Sequence, residues 1–173
     1  RYQYIFFNDG DRKMASAKKI GKTGGIYACT ANYASLDSII ATMHQAIENG
    51  LGGAEPPEND LEAVLVGIQL NKQVKEIILI ADSYSRVRDL ELLGQIPIPL
   101  RIILCGAEEQ NNFYRGLAAV VNEEYLTIAR RTNGSVHTLK EDILGLNQVK
   151  EGEIIEVSGH RFLLRNNQFI KLN

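Results

Sequence analysis

The order of apolar runs and helical periods predicts an α/β chain. The expected form is a three-layer sandwich with a mostly parallel central sheet, helices on both faces, and a small antiparallel β meander at the C-terminus. Three observations carry this expectation. The run Ile77-Ile78-Leu79-Ile80 is unbroken, which suits a strand covered on both faces, as in parallel sheets. Strand-like and helix-like segments alternate through most of the chain, the pattern of stacked α/β layers. After Glu151 the texture changes to short apolar runs separated by Ser158-Gly159 and Asn166-Asn167, which is hairpin chemistry. The expected division is an α/β domain over 1–146 and a meander appendage over 147–173.

The elements follow in order. Tyr4 to Phe7 is a short apolar, aromatic-rich strand stopped by Asn8-Asp9-Gly10-Asp11, which is turn chemistry. A basic connection leads to a second strand over Gly24–Thr30. Ser35 caps a helix whose apolar residues Leu36, Ile39, Ile40, Met43 and Ile47 recur at three- and four-residue steps, with Asn49-Gly50 as its left-handed stop. The recurrence assigns Met43 to packing. Pro57 suits the first turn of the next helix, where its missing N–H costs nothing, and Leu61, Val64, Leu65 and Ile68 form its buried stripe. A helix is expected from about Ser85 through Leu93, and Pro97 and Pro99 punctuate the entry to the strand Leu100–Cys105. The helix starting near Asn122 has Glu123 and Glu124 in its first turn and Arg130 and Arg131 in its last, both matched to the macrodipole, and Asn133-Gly134 ends it. Ser135–Leu139 reads as an edge strand. Asn133-Gly134-Ser135 also fits a glycosylation sequon, but the helix stop is the preferred reading.

Composition bounds the function. The chain has 173 residues, 45% hydrophobic and 23% charged, with a formal net charge of -2, which fits a globular protein and not a disordered one. Nothing in that charge proposes a nucleic-acid partner. The basic cluster Lys13, Lys18, Lys19 and Lys22 lacks interleaved aromatics and reads as a solvated connection. No segment reaches the roughly 18 apolar residues that would span a bilayer. Cys29 and Cys105 each fall in a strand-like run and read as small buried hydrophobes, so they carry no signal about compartment. The chain enters directly as a strand at Arg1-Tyr2-Gln3-Tyr4, which is read as a fragment or processed product.

Several constellations invite chemistry and are set aside. Gly21-Lys22-Thr23 lacks the earlier glycine of a phosphate loop, since Ser16 stands there, and it opens a strand instead of a helix. Asp9-Gly10-Asp11 after an apolar strand resembles the paired aspartates of haloacid-dehalogenase-like phosphotransferases, but Arg12 stands where a hydroxyl would help. A solvent-facing turn is the simpler reading. His44, His137 and His160 show no ligand spacing, and no serine sits in a Gly-x-Ser-x-Gly elbow, so no nucleophile–histidine–acid triad is expected.

Two carboxylates remain. Glu55 lies in the glycine-rich loop Gly52-Gly53-Ala54-Glu55-Pro56-Pro57-Glu58-Asn59, and Asp82 ends the strand Ile77-Ile78-Leu79-Ile80-Ala81-Asp82. Open parallel sheets bind ligands outside the carboxyl ends of their strands, so acids delivered there suggest a hard-cation site. The local alternative is that Glu55 stabilises the helix N-terminus near Pro57 while Asp82 caps the turn that follows it.

The order of segments over roughly Tyr2 to Ile143 resembles a von Willebrand factor type A domain, a dinucleotide-fold-like α/β sandwich. The likeness is carried by the glycine-rich acid-Pro-Glu loop, the strand ending at Asp82 in place of the family's Thr-Asp-Gly signature, and Arg101–Gly106 with the helix Tyr125 to Thr132 and Gly134-Ser135. The resemblance implies a metal-ion-dependent adhesion site at which Mg2+ binds a carboxylate of a partner protein, with Glu55 and Asp82 among its ligands. The sequence departs from the family in lacking the first strand and its Asp-x-Ser-x-Ser motif, and in placing Glu55 where a shorter acid or hydroxyl is usual. In the family that strand lies between the second and the fourth. A missing strand would leave interior strand edges to pair directly or to recruit a strand from a preceding segment or another chain.

The resulting expectation is a non-enzymatic protein-recognition module with a complete or degenerate magnesium site. Its binding face would be framed by Asn8, Asp9, Asp11, Glu58, Ser83 and Arg86. Its partner would be a protein, with homo-oligomerisation as one form of that partnership. The alternatives are an Asp9/Asp11 phosphotransfer or hydrolytic enzyme, and a scaffold that docks through the meander.

Overall fold

The structure, a computed structural model, describes residues 2–10, 19–29, 35–50, 58–107 and 121–172. The chain divides into two compact units, one of Arg1–Val74 with Val87–Gln95 and the other of Lys75–Arg86 with Ile96–Asn173. Among the described residues no helix is long and apolar enough to cross a membrane.

The first unit is built on an antiparallel hairpin of β1 (Tyr4–Phe7) and β2 (Ile26–Cys29), paired from Tyr4 opposite Cys29 to Phe7 opposite Ile26. The hairpin is closed tightly below β1. Asn8 N–H donates to the Gly25 carbonyl at 2.9 Å, and a Cβ on Gly25 would lie 2.1 Å from Asn8 Oδ1. Gly25 also has φ +74°, so both space and backbone conformation call for glycine there. Helices α1 (Leu36–Asn49) and α2 (Asp60–Leu70) pack on this hairpin. Ser35 caps α1 by accepting from Ser38 N–H at 3.2 Å, as expected. Gly50 ends it at φ -80°, not in the left-handed conformation the Asn-Gly pair suggested.

Helix α1 is also turned differently from the expectation. Ala46 is buried and Ile39 and Thr42 are half-buried, while Leu36, Ile40, Met43 and Ile47 are 70%, 40%, 36% and 61% exposed. Ile39, Thr42 and Ala46 thus face inward, and the rest of the apolar stripe looks outward. A 3-10 helix over Leu90–Gln95 replaces the longer helix expected from Ser85.

The second unit holds a four-stranded mixed sheet in the order β3 (Ile77–Asp82), β4 (Leu100–Cys105), β5 (Ser135–His137), β6 (Asp142–Ile143). The first three strands are parallel, and β6 adds antiparallel outside β5. The strand is shorter than the expected 135–139, covering only Ser135–His137, and it is interior and not the edge. Helix α3 (Glu123–Thr132) packs against β4 and β5. On β4, Leu100, Ile102 and Leu104 are buried with Val136 of β5, while Arg101 and Cys105 are exposed and Ile103 is half-exposed. The alternation continues on β3, where Leu79 is buried but Ile78 and Ile80 are 48% and 61% exposed. The unbroken apolar run is thus covered on one face only. Cys105 falls on the uncovered side and is exposed, unlike buried Cys29; both are free thiols.

Helix α3 holds this unit together. Tyr125, Leu126, Ile128 and Ala129 are fully buried, and burying each large apolar side chain is worth about 1.5–3 kcal/mol. Asn133 ends the helix in the left-handed conformation, φ 57°. A Cβ on Gly134 would lie 2.0 Å from the Leu100 carbonyl oxygen, so only glycine lets the chain enter β5 this close to β4. The meander forms a separate antiparallel sheet of β7 (Ile154–Val157), β8 (His160–Arg165) and β9 (Gln168–Lys171). Its turns have positive φ at Ser158-Gly159 and Asn166-Asn167, as tight hairpins require. Phe169 N–H donates to Thr127 Oγ1 of α3 at 2.9 Å, and Phe162 and Phe169 are buried.

Candidate functional site

The rim at the carboxyl end of β3 is built by one carboxylate and the turn it organises. Asp82 is paired in register with Cys105, and its exposed side chain curls over the next residues. Its Oδ1 accepts from the N–H groups of Tyr84 and Ser85, both at 2.8 Å, and its Oδ2 accepts from Ser85 Oγ at 3.1 Å. Aspartate favours this conformation because a short acceptor can close a turn on its own chain. Oδ1 is thereby saturated, while Oδ2 retains lone-pair capacity toward solvent.

The turn is then locked onto the start of α3. Ser83, 7% exposed, donates its N–H to the Cys105 carbonyl at 2.9 Å, and its Oγ accepts from Asn122 N–H at 3.1 Å. Asn122 in turn accepts from Glu124 N–H at 2.9 Å, capping the helix, and donates to the Ser85 carbonyl at 2.7 Å. Arg86 reaches Glu124 at 3.4 Å with its guanidinium largely exposed. Tyr84 lies over Gly106, where an added Cβ would meet its ring at 2.7 Å. The rim therefore presents a fixed carboxylate, an aromatic ring and a guanidinium on a rigid base.

The other candidate residues lie in the first unit. Asn8 is engaged internally: its Nδ2 donates to the Ala46 carbonyl at 2.8 Å and its Oδ1 accepts from Gly10 N–H at 2.8 Å. Asp9 is 4% exposed, so the turn after β1 does not offer it to solvent as the sequence suggested. Glu58 bridges to Val87 through its backbone, and its carbonyl accepts from Arg88 N–H at 2.7 Å. Glu55 and Asp11 lie outside the described residues. Among the described residues no group of three or more histidine, cysteine or acidic side chains is placed to hold a metal ion.

Two arrangements were not foreseen. At the N-terminus of α2, Asn59 makes no side-chain cap, and Asp89 takes that role from elsewhere in the chain. Its carboxylate accepts from Leu61 N–H at 3.2 Å and Glu62 N–H at 2.6 Å while only 1% exposed. Burial pushes the Asp89 carboxyl up to about 6, against the lowering effect of these N–H donors and with the negative charge of Glu62 adding to the rise. Glu62 itself accepts from Thr23 N–H at 2.9 Å and Gly24 N–H at 3.2 Å, which fixes the approach to β2. The second arrangement links Ser135, His137 and Asp142 on β5 and β6. Its only trace in the sequence is a serine and a histidine two positions apart on a strand, with an acid five residues on.

No protein-family model, curated protein or solved structure matches the chain.

Proposed function

We propose that the chain is a protein-recognition module with a von Willebrand A-like arrangement, acting at this rim by binding and not by making or breaking bonds. The observation that carries this reading is strand β3. Among the described residues it has a sheet partner on one side only, it exposes Ile78 and Ile80, and it ends on Asp82. An open edge with apolar side chains beside it is a template for an added strand. The fitting occupant is an extended segment of another protein chain, whose apolar residues lie beside the two isoleucines. A second copy of this chain would make the same contact as a homo-oligomer.

In the finer form of the proposal, Asp82 would be a ligand of a Mg2+ ion that meets a carboxylate of the partner. Asp82 Oδ2 is the oxygen with capacity for such a bond. A single carboxylate of the chain would leave the magnesium octahedron mostly water, so affinity for the ion alone would be weak. The test is a magnesium titration of the purified chain followed by thermal melting. A stabilisation that disappears in Asp82→Ala but survives in Asp9→Ala supports the cation site. A response lost only in Asp9→Ala would instead favour phosphotransfer chemistry at Asp9 and Asp11. If Ile80→Lys leaves self-association and strand-peptide binding unchanged, recognition through the β3 edge is wrong.

A further inference from the structure

The uncovered face of the mixed sheet carries a constellation away from the β3 rim. Ser135 and His137 are two residues apart on β5, so both side chains rise from one face. The register sets His137 opposite Asp142 on β6 and Ile103 on β4. His137 Nδ1 lies 2.7 Å from Asp142 Oδ1, and His137 Nε2 lies 2.8 Å from Ser135 Oγ. A carboxylate only accepts hydrogen bonds, so its contact places the ring proton on Nδ1. In the neutral ring, Nε2 is then an acceptor and the Ser135 hydroxyl donates to it. This is the connectivity of nucleophile, base and orienting acid, which is recognised by geometry and roles and not by sequence position.

The surroundings suit a small substrate. Ser135 lines a cavity of about 250 Å³ together with Lys75, Glu76, Arg101 and Asn133. Arg101 is held at 3.0 Å by Glu76, and both are half-exposed. Arg101 stands opposite Ser135 in the register of β4 and β5, and its guanidinium is the charge on offer for a developing oxyanion. Half-exposed Ile103, level with His137, offers an apolar surface for a short acyl chain. His137 itself keeps 24% of its side chain open to solvent, so water can reach the base.

We propose that Ser135 is a nucleophile toward activated esters of small aliphatic carboxylic acids, with His137 as general base and Asp142 as the positioning residue. Ser135 Oγ attacks the ester carbonyl and its proton passes to His137 Nε2. The bond to the leaving oxygen then breaks, and Nε2 returns the proton to that oxygen, leaving an acyl-serine. A water molecule attacks the acyl carbon and gives a proton to Nε2. The acyl–Oγ bond breaks, Oγ recovers the proton, and the carboxylic acid departs. The electron count is unchanged throughout and water is the only co-reactant.

The experiment uses the purified full chain with p-nitrophenyl acetate and, separately, a fluorophosphonate probe read by peptide mass mapping. The expected result is nitrophenolate release above the buffer rate and a single adduct on Ser135. Ser135→Ala should lose both, and His137→Gln should lower the rate by about 10²-fold or more. Asp142→Asn should lower kcat while leaving KM within about twofold, a split that a merely structural contact would not produce. Melting curves check that the variants fold. Should Ser135→Ala melt lower, the labelling of the unaltered chain decides alone. Absence of an adduct on Ser135, or hydrolysis that Ser135→Ala leaves intact, would reduce the three side chains to a cross-strand hydrogen-bond ladder and overturn the proposal.

Discussion

Helices α1 and α3 look alike as sequences and end differently in the protein. Both start at a polar cap and both carry an apolar stripe at helical spacing. In α3 the stripe is fully buried at Tyr125, Leu126, Ile128 and Ala129, whereas in α1 the residues Leu36, Ile40, Met43 and Ile47 remain open. The units that hold them differ in the same way. The second is closed by apolar side chains from α3, β4, β5 and the meander. The first buries Asp9, Asn59, Asp60, Glu62 and Asp89 and is organised through carboxylates that accept backbone N–H groups. An amphipathic pattern specifies that a helix has a face to bury. What covers that face is a separate matter, and polar groups taken into an interior bind it together only while their partners are complete.

The sharpest way to break this contrast is Leu126→Ala. It removes a fully buried side chain and should cost about 2–5 kcal/mol, seen as a lower urea midpoint with little change in slope. A loss comparable to that of a surface substitution would mean that α3 does not close the second unit. Asp89 tests the polar interior of the first unit. Because its folded pKa is raised from 3.8 to about 6, the folded chain holds the proton more tightly than the unfolded chain across that interval. Its stabilisation is present in full below about pH 4 and is lost as pH rises to about 6, on the order of 3 kcal/mol in total. Asp89→Asn should flatten this part of the stability–pH curve. A slope that survives the substitution would assign it to another group.

The caps give a smaller comparison. Asn122 both caps α3 and holds the Ser85 carbonyl, so Asn122→Ala should cost about 2 kcal/mol, near the upper end for a cap. Ser35 makes one exposed cap bond, and Ser35→Ala should cost about 0.5–1 kcal/mol. Equal effects would remove the distinction between an isolated cap and one tied to the rim. Smallest of all, Ile47→Ala in α1 should change stability by less than about 0.5 kcal/mol. A loss of several kcal/mol in thermal or urea unfolding would show that the outward stripe is covered in solution.

Much of the fold was legible because it is local. The hairpin turns at Ser158-Gly159 and Asn166-Asn167, the cap at Ser35, the charge order of α3 and the left-handed stop at Asn133 all rest on contacts within a few residues. The α/β order followed from spacing. Less legible were features set by distant neighbours: the one-sided cover of β3, the outward stripe of α1, and the exposure of Cys105. The candidate rim divides in the same way. Asp82 could be found as the acid at the end of an apolar strand, and its turn-capping bonds were one of two readings. Asp89 could not be found, since it serves a helix whose capped residues stand 27 and 28 positions away.

By itself the sequence determined the order of most strands, helices and turns, because that depends on backbone preference and on the period of side chains along one segment. Only the tertiary structure decided which faces are covered, which carboxylates are buried, and that Ser135, His137 and Asp142 meet in one line. The reason is physical: burial and hydrogen-bond partnership are properties of pairs of segments. A single run of residues fixes what each segment has to offer, but not what will stand opposite it.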